Sequence, residues 1–418
     1  MSCSNESTGN DERYKRCSLI LFIVCACVLW ATCEATPRSN AKKDNNKTMS
    51  NDYLRLFADT CLSSFIDFNS SSKTGEVVWE VKINEDKEPS FDAKVILAAD
   101  NFLVVYSSKQ IAVFSSQGKK LWVEEYIAGS PVSIYANNIY FRSPKTEEDR
   151  LSAIHLGGTA VEAEMILLDT FESAQPVYIE PMTDGLIAAC AYATGSEEGP
   201  PETVFYKKQY DTRDYLWVSS FFGYSNSLPL HIKTVNRFVI FGGTKVMVFN
   251  SAPKDVEEEV ANFSLPLDML LTASADQNGI LYLLGTSGRR IVIVALTLDG
   301  RELWRYEKIP YGGDRSNLQP PMVGIDGLIH VAVGTTMTTI KAGKLVRTFR
   351  TDSGPIGYVT ALADGAVLIS SNRTLYQIDS NGKRVFKAEL TVPIVAPAVL
   401  TETGNVCVIT SNTIVCLN

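Results

Sequence analysis

Three histidines, nine cysteines and scattered carboxylates are the residues of this chain whose chemistry could serve catalysis or metal binding. The histidines lie on different predicted units, without HxxxH or HxH spacing, and this favours structural histidines over a metal site. There is no Gly-x-Ser-x-Gly elbow, and neither Gly-Gly-Thr stretch precedes a predicted helix. The sequence therefore predicts no catalytic, cofactor-binding or metal-binding residue. The histidines are His155, His231 and His330.

One cysteine pair near the C-terminus has the spacing of a cross-strand disulfide. In VCVITSNTIVCL (406–417), a two-residue turn at 411–412 brings Cys407 opposite Cys416 at a non-hydrogen-bonded position. Side chains are closest at such positions, so we expect a disulfide in an oxidising compartment. Two buried thiols on one face of the hairpin are the alternative. No pairing is assigned to the other two cysteines that follow the apolar segment, Cys61 and Cys190.

The first 51 residues differ from the rest of the chain. Residues 1–16 and 34–51 are polar, and the segment 17–33 between them is apolar. An apolar run of this length fits a signal peptide or a signal-anchor better than a buried helix between polar flanks. Small residues at its end permit cleavage, whereas the long polar tail before it, with Arg13, Lys15 and Arg16 next to the apolar segment, fits an uncleaved anchor. The sequence predicts export into the secretory pathway or beyond the cytoplasm, as a secreted or a membrane-anchored protein.

Four Asn-x-Ser/Thr sequons follow the apolar segment and agree with export without proving it. They begin at Asn46, Asn69, Asn262 and Asn372.

Charge and length limit the function classes. The formal net charge is −8, and acidic and basic residues are interleaved without a long basic run, so a nucleic-acid partner is not expected. A chain of 418 residues exceeds a usual single core and predicts two domains or a repeat architecture.

A short sequence motif recurs along the chain: an Asp-Gly or similar turn is followed by a predicted strand in which apolar and polar residues alternate. In each copy a large aromatic follows a glycine by four residues, as in KTGEVVWEVKI (73–83) and LTLDGRELWRYEK (296–308). The spacing is roughly 40 residues, with four short strands in the clearest units, which predicts the blades of an all-β propeller. We expect the aromatics to pack between neighbouring blades. They are Trp79, Trp122, Trp217, Trp304 and Phe386.

The two ends of the repeat region complement each other. The last unit has three strands, and the strand 75–81 carries the glycine and tryptophan of a fourth. Pairing between them would close a ring over 74–418 and leave no raw sheet edge. We predict eight blades, with seven as the alternative, because the units between 127 and 270 are degenerate. A short amphipathic helix is predicted before the ring, at 52–68.

The stretches QPPMVGIDGLIHVAVGTTMTTIKAGKL (319–345) and VAPAVLTETGNVCVITSNTIVCLN (395–418) resemble repeats of the pyrroloquinoline-quinone (PQQ)-type, quinoprotein-alcohol-dehydrogenase-like β-propellers. The resemblance implies one of two functions. Enzymes of the family bind PQQ and calcium in the central funnel and oxidise alcohols or sugars. Its non-catalytic branch uses the propeller as a binding platform.

The sequence departs from the enzymes of this family in two respects. It has four tryptophans after the apolar segment, whereas the enzymes carry tryptophan motifs in nearly every blade, and it lacks their adjacent Cys-Cys pair. These departures favour a non-enzymatic scaffold or ligand sensor that needs no cofactor. A PQQ- and calcium-dependent oxidoreductase is the alternative.

Three insertions lengthen connections that share one face of a propeller: 143–150, 195–203 and 308–321. Long loops on a rigid scaffold often carry binding residues. We therefore expect this face to contact another protein, with tolerated surface insertion as the alternative. Membrane contact is expected only through an uncleaved N-terminal segment. The candidate contact residues are Tyr311, Asp314 and Arg315.

Overall fold

The computed structural model describes residues 65–66, 74–83, 95–99, 102–106, 110–127, 132–135, 137–144, 150–158, 166–167, 174–181, 186–193, 202–209, 215–222, 227, 229–251, 259–310, 318–324, 326–362, 364–401 and 403–418. Their regular structure is β-strand apart from one short 3₁₀ helix, Lys233–Val235, so the predicted all-β class is confirmed. None of the helical structure in this part of the chain is long and apolar enough to cross a membrane. The predicted segments 1–16, 17–33 and 34–51 lie outside the described residues.

Two strands precede the repeats, β1 (Phe65–Ile66) and β2 (Val77–Lys82). The strands that follow form antiparallel sheets in which sequence order is also spatial order. Sheet 1 contains β3 (Val95–Ala99), β4 (Phe102–Tyr106), β5 (Gln110–Ser115) and β6 (Lys120–Glu125). Sheet 2 contains β7 (Ser133–Tyr135), β8 (Asn138–Phe141), β9 (Arg150–His155) and β10 (Ile166–Leu167). Sheet 3 contains β11 (Ala174–Pro181), β12 (Leu186–Ala193), β13 (Glu202–Gln209) and β14 (Tyr215–Phe222).

The remaining sheets follow the same plan. Sheet 4 contains β15 (Leu230–Ile232), β16 (Arg237–Gly242), β17 (Lys245–Asn250) and β18 (Glu259–Ser264). Sheet 5 contains β19 (Met269–Ala275), β20 (Leu281–Ser287), β21 (Arg290–Leu296) and β22 (Glu302–Tyr306). Sheet 6 contains β23 (Met322–Val323), β24 (Ile329–Val333), β25 (Thr336–Lys341) and β26 (Lys344–Arg350). Sheet 7 contains β27 (Ile356–Leu362), β28 (Val367–Ser371), β29 (Thr374–Ile378) and β30 (Arg384–Glu389). Sheet 8 contains β31 (Val399–Leu400), β32 (Val406–Ile409) and β33 (Thr413–Leu417).

The sheets stack side by side around a centre, which is the arrangement of a β-propeller. First strands of successive sheets contact one another, as β19 contacts β23 and β23 contacts β27, so the first strands are innermost. Most second strands are largely apolar because both of their faces are covered, and β20 is buried at its first six positions. Fourth strands alternate exposed and half-buried residues, as in β6, because they form the outer rim.

The strand β2 is the fourth strand of sheet 8. It pairs antiparallel with β33, and Trp79 lies opposite Cys416. The neighbouring pair is Cys407 opposite Cys416, with a Cα–Cα distance of 4.1 Å, and the two cysteines form a disulfide. Both cysteines are fully buried. The N-terminal and C-terminal ends of the repeat region therefore share one sheet, whose core includes this disulfide.

A bulge recurs in the outer strands. In seven of the sheets, one residue of the fourth strand has no paired residue on the third strand. A bulge of this kind re-aims the side chain that follows it, and here that residue is an aromatic in five of the seven cases. The unopposed residues are all aliphatic: Val78, Leu121, Leu216, Val260, Leu303, Val346 and Val385.

The re-aimed aromatics pack against turn glycines of the next sheet. A Cβ added at Gly118 would lie 2.8 Å from the Trp79 ring, and one at Gly158 would lie 2.9 Å from Trp122. Both glycines have positive φ angles, so the turn and the close contact each select glycine. Trp304 and Phe386 make the same contact with Gly343 and Gly75. The fifth predicted aromatic, Trp217, lies on β14, and its side chain is outside the described residues.

Two members of this series are not among the predicted residues. Phe263 packs against Gly300, but the glycine that should precede it by four residues is absent from its sheet. Arg347 follows Gly343 by four residues and takes the aromatic's place, with its Cδ 2.9 Å from a Cβ placed at Gly382. Its guanidinium donates to the carbonyl oxygens of Ser380 and, at 3.3 Å, Gly365. Partial burial lowers the pKa of Arg347, against the effect of nearby Asp326 and Asp379.

Replacing Arg347 by Ala is expected to lower the free energy of unfolding by about 2 kcal/mol, since two carbonyls lose a donor and a void opens against Gly382. Arg347→Trp should cost less, because it restores the side-chain type found at the equivalent positions. Arg290→Ala is the matched control; the Arg290 side chain is 71% exposed and bonded to Glu307, and its loss should cost no more than about 0.5 kcal/mol. Equal losses for Arg347→Ala and the control in denaturant unfolding would contradict the packing role.

The helix predicted over 52–68 is wrong at the two residues of it that the structure describes. Phe65 and Ile66 form β1, which pairs in parallel with β27. Local apolar spacing favours a helix there, but the edge of β27 offers backbone partners that a helix cannot use. The rest of 52–68 lies outside the described residues.

Candidate functional site

The order of strands gives the molecule two distinct loop faces. Because successive strands are antiparallel, second-to-third connections lie on the same side as the crossovers from a fourth strand to the next sheet. We call this side the crossover face. First-to-second and third-to-fourth connections, which include the turn glycines, lie on the opposite face.

All three predicted insertions belong to the crossover face. They connect β8 to β9, β12 to β13, and β22 to β23. Strand bounds place the second of these connections at 194–201, so Glu202 and Thr203, predicted as loop, belong to β13. Most of the inserted residues lie outside the described residues. The same holds for Tyr311, Asp314 and Arg315.

A charged cluster orders the crossover between sheets 6 and 7. Asp352 accepts hydrogen bonds from the Tyr376 hydroxyl and from Lys387 Nζ, the latter at 2.9 Å, and Arg384 lies 3.8 Å away. The Tyr376 hydroxyl also lies 2.8 Å from Ser353 Oγ. The bond from Tyr376, and then that from Lys387, lower the pKa of Asp352 to about 2. Asp352 is therefore an anion at neutral pH and fixes this crossover to the outer strand of sheet 7.

A polar cavity of about 370 Å³ opens beside this crossover. An ion pair between Arg373 and Glu389, at 2.9 Å, forms part of its wall, with both side chains half exposed. Hydroxyl and amide groups form most of the remainder, so the cavity suits a polar group. Its other lining residues are Ser353, Asn372, Thr374, Thr391 and Pro393.

Two of the four sequons fall on described residues. Asn372 is exposed in the tight turn between β28 and β29, with a φ of 54°, and Ile394 donates to its carbonyl oxygen at 2.8 Å. Asn262 is exposed on the outer strand β18. Both side chains are accessible for modification. Asn46 and Asn69 lie outside the described residues.

The innermost layer of the ring contains an added strand. Phe65 lies opposite Ala361 and Ile66 opposite Leu362 in a parallel pairing, while β28 takes the other edge of β27. Since first strands line the centre, β1 lies on the channel side of sheet 7. A segment of polypeptide thus pairs with a channel-lining strand.

The three histidines have local structural contacts. His330 is buried, its Nδ1 lies 3.1 Å from Thr339 Oγ1, and burial followed by the charge of Arg347 lowers its pKa to about 3. His231 is buried and stacks on Phe238 with ring centroids 4.1 Å apart. His155 accepts a hydrogen bond at Nδ1 from the Gly157 amide, at 3.0 Å.

Comparisons with solved structures support the propeller fold. One similar structure is the quinohemoprotein alcohol dehydrogenase ADHIIG from Pseudomonas putida HK5, with a TM-score of 0.62 and 10% identity over 86% of this chain and 79% of that one. Another is BamB from Moraxella catarrhalis, with a TM-score of 0.54 and 9% identity over 82% of this chain and 98% of that one. No family model and no curated protein matches the chain. At these identities the likeness shows the fold alone: the chain is a β-propeller, similar in structure to an oxidoreductase and to BamB.

Proposed function

We propose that this chain is a non-enzymatic propeller that binds another polypeptide, as an interaction scaffold or ligand sensor. The pairing of β1 with β27 carries the proposal. It puts an extended polypeptide at the channel, where the enzymes of the resembled family hold their cofactor. A channel-lining edge that accepts one strand of polypeptide is suited to binding others.

We further propose that the ring has eight blades, one for each of the eight sheets of the described residues. Pairing between β2 and β33 supports a closed ring, since it joins the beginning of the repeat region to its end. In a closed ring every sheet packs against a neighbour on both sides, which makes the ring a rigid platform for binding.

The crossover face is the proposed partner surface. It carries the three insertions, with Tyr311, Asp314 and Arg315 as candidate contacts, on a scaffold whose fixed crossovers include that of Asp352. Long loops on such a scaffold can meet a partner without the ring deforming. BamB shares the fold, and that likeness does not identify the partner of this chain.

The proposed location is the secretory pathway or outside the cytoplasm, either secreted or held at a membrane by residues 17–33. A buried disulfide in sheet 8 supports an oxidising compartment. Exposed Asn262 and Asn372 are then candidate glycosylation sites, together with Asn46 and Asn69.

A quinoprotein oxidoreductase is the second candidate, favoured by the similarity to the quinohemoprotein alcohol dehydrogenase. Calcium beside the quinone requires six to eight oxygen ligands, usually with carboxylates among them. The first strands of the described residues carry one acidic residue, Glu180, and no group of three metal-binding side chains lies together in the described part of the chain. With one acidic residue on these strands, we derive no oxidation step.

Replacing 195–200 by Gly-Ser is expected to weaken partner binding at least tenfold without lowering the unfolding midpoint, because both strands of the hairpin remain intact. Native mass spectrometry of the protein extracted from its own cells would first identify the co-purifying polypeptide, and titration would then measure its affinity. The matched control replaces 252–258, a connection of similar length between β17 and β18 on the opposite face. Unchanged partner binding by the 195–200 variant would refute the crossover-face assignment. A bound mass of PQQ with calcium would favour the enzyme.

A further inference from the structure

The edge of β27 that holds β1 is an unusual place for a chain's own residues. Phe65 and Ile66 are almost 300 residues away in sequence from their partners Ala361 and Leu362. Their pairing is parallel, whereas the other pairs of the described sheets are antiparallel. It is an addition to a sheet that is already complete with four strands.

The direction of β1 connects this edge to the crossover face. The crossover at 351–355 precedes β27, so β27 runs from the crossover face toward the opposite face. A parallel partner runs the same way, and its N-terminal end is directed to the crossover face. Phe65 and Ile66 pair with the last two residues of β27, at its end toward the opposite face. A segment that pairs along the whole of β27 begins at the crossover face and is therefore placed to continue into a protein bound across the insertions.

The pairing between β1 and β27 is weak, and this favours exchange of β1 for another segment. Two paired residues supply one or two backbone hydrogen bonds, and the net stability that each adds is small because the same groups bond to water when they separate. Such a contact persists mainly because tethering gives the segment an effective concentration on the order of millimolar. A segment that pairs with more of the seven-residue strand β27 gains further hydrogen bonds and can replace it.

We propose that the inner edge of β27 is a strand-binding site for extended polypeptide, held by the chain's own segment around Phe65 and Ile66 until a partner's segment replaces it. This inference rests on the proposed function. The fitting segment is extended, free of proline and rich in apolar residues, since the resident residues are Phe and Ile and the strand itself is largely buried. While β1 occupies the edge of β27, the protein binds a partner's segment more weakly than it would with that edge unoccupied.

The test uses the full chain and a labelled peptide of its own sequence, residues 58–70, with Cys61 replaced by Ser. The double variant Phe65→Pro/Ile66→Pro removes the tethered competitor, because proline lacks the amide donor and fits a strand poorly. The peptide should bind this variant at least tenfold more tightly than the wild-type chain. A control variant, Ser71→Pro/Ser72→Pro, leaves the paired residues unchanged and should bind as wild type does. Equal affinities for the double variant and wild type would overturn the proposal.

A second variant covers the case in which the proline variant fails to fold. Ile66→Cys/Leu362→Cys places two cysteines opposite each other, and their disulfide would lock β1 on β27. The locked chain should lose peptide binding and regain it on reduction. If the oxidised chain binds the peptide as tightly as the reduced chain does, exchange is refuted. If the partner found by mass spectrometry binds but the peptide does not exchange, the strand site is refuted and the scaffold stands. Peptide exchange without any protein partner refutes the scaffold alone.

Discussion

Replacing Trp79 by Ala should lower the free energy of unfolding by about 2–3 kcal/mol, even though Trp79 lies on the outer rim. Its indole packs on Gly118 of sheet 1 and lies opposite Cys416 of sheet 8. Because β2 joins the two ends of the repeat region, the substitution weakens the contact between the last sheet and the first. Denaturant unfolding followed by far-ultraviolet circular dichroism would measure the loss.

The contact can be isolated by a double-mutant cycle with Gly118→Ala. At a φ of 81°, alanine costs about 1–2 kcal/mol by itself, and its Cβ would also lie 2.8 Å from the Trp79 ring. We expect a further loss of at least about 1 kcal/mol from overpacking in the wild-type background. In the Trp79→Ala background that further loss should disappear, giving a measurable coupling energy.

Gly288→Ala is the matched control for this cycle. Gly288 has a φ of 59°, and a Cβ added there meets nothing within 4 Å. Its substitution should cost the backbone strain alone, in both backgrounds. If Gly118→Ala costs no more than Gly288→Ala, the indole does not pack on the turn, and the inter-sheet contact of Trp79 is refuted.

The repeated hairpin is predictable from sequence because its determinants are local. A turn glycine, an aliphatic residue at the bulge and an aromatic follow one another within five positions, as in Gly300, Leu303 and Trp304. Each is chosen by backbone conformation or by packing on the adjacent turn. Where the glycine is absent, as before Phe263, the aromatic performs the same packing without a local pattern to reveal it.

The position of Arg347 can be inferred from the sequence. It follows Gly343 by four residues, and that spacing alone assigns it to the aromatic slot. A charged residue there is unexpected because burial opposes the charge; the carbonyls of Ser380 and Gly365, from the next sheet, and the nearby carboxylates of Asp326 and Asp379 compensate. Those partners come from turns that the sequence does not bring together.

Features of the candidate site depend on long-range contacts. The Asp352 cluster unites a crossover with side chains of β29 and β30, and no sequence pattern relates Asp352 to Tyr376 or Lys387. The strand β1 pairs with residues almost 300 positions away, so apolar spacing within 52–68 indicates a helix there instead. The insertions are predictable because strand order alone places them on one face.

Breaking the bond between Cys407 and Cys416 should lower the free energy of unfolding by about 2–3 kcal/mol. The two cysteines are separated by 9 positions, and a link across a loop of that size removes conformational entropy from the unfolded chain and raises its free energy by about this amount. The effect should be concentrated in sheet 8, because β33 pairs with both β32 and β2. Protein reduced in denaturant and refolded with reductant should therefore unfold at a lower denaturant concentration than oxidised protein.

The control is the double variant Cys407→Ala/Cys416→Ala. Its unfolding midpoint should be the same with and without reductant, which separates this pair from the chain's other seven cysteines. The sequence leaves two buried thiols as the alternative state. In that state wild-type protein denatured without reductant would be alkylated at both residues, and reductant would leave its midpoint unchanged. Protection of both residues, together with a midpoint that reductant lowers in wild type alone, would show that the disulfide stabilises sheet 8.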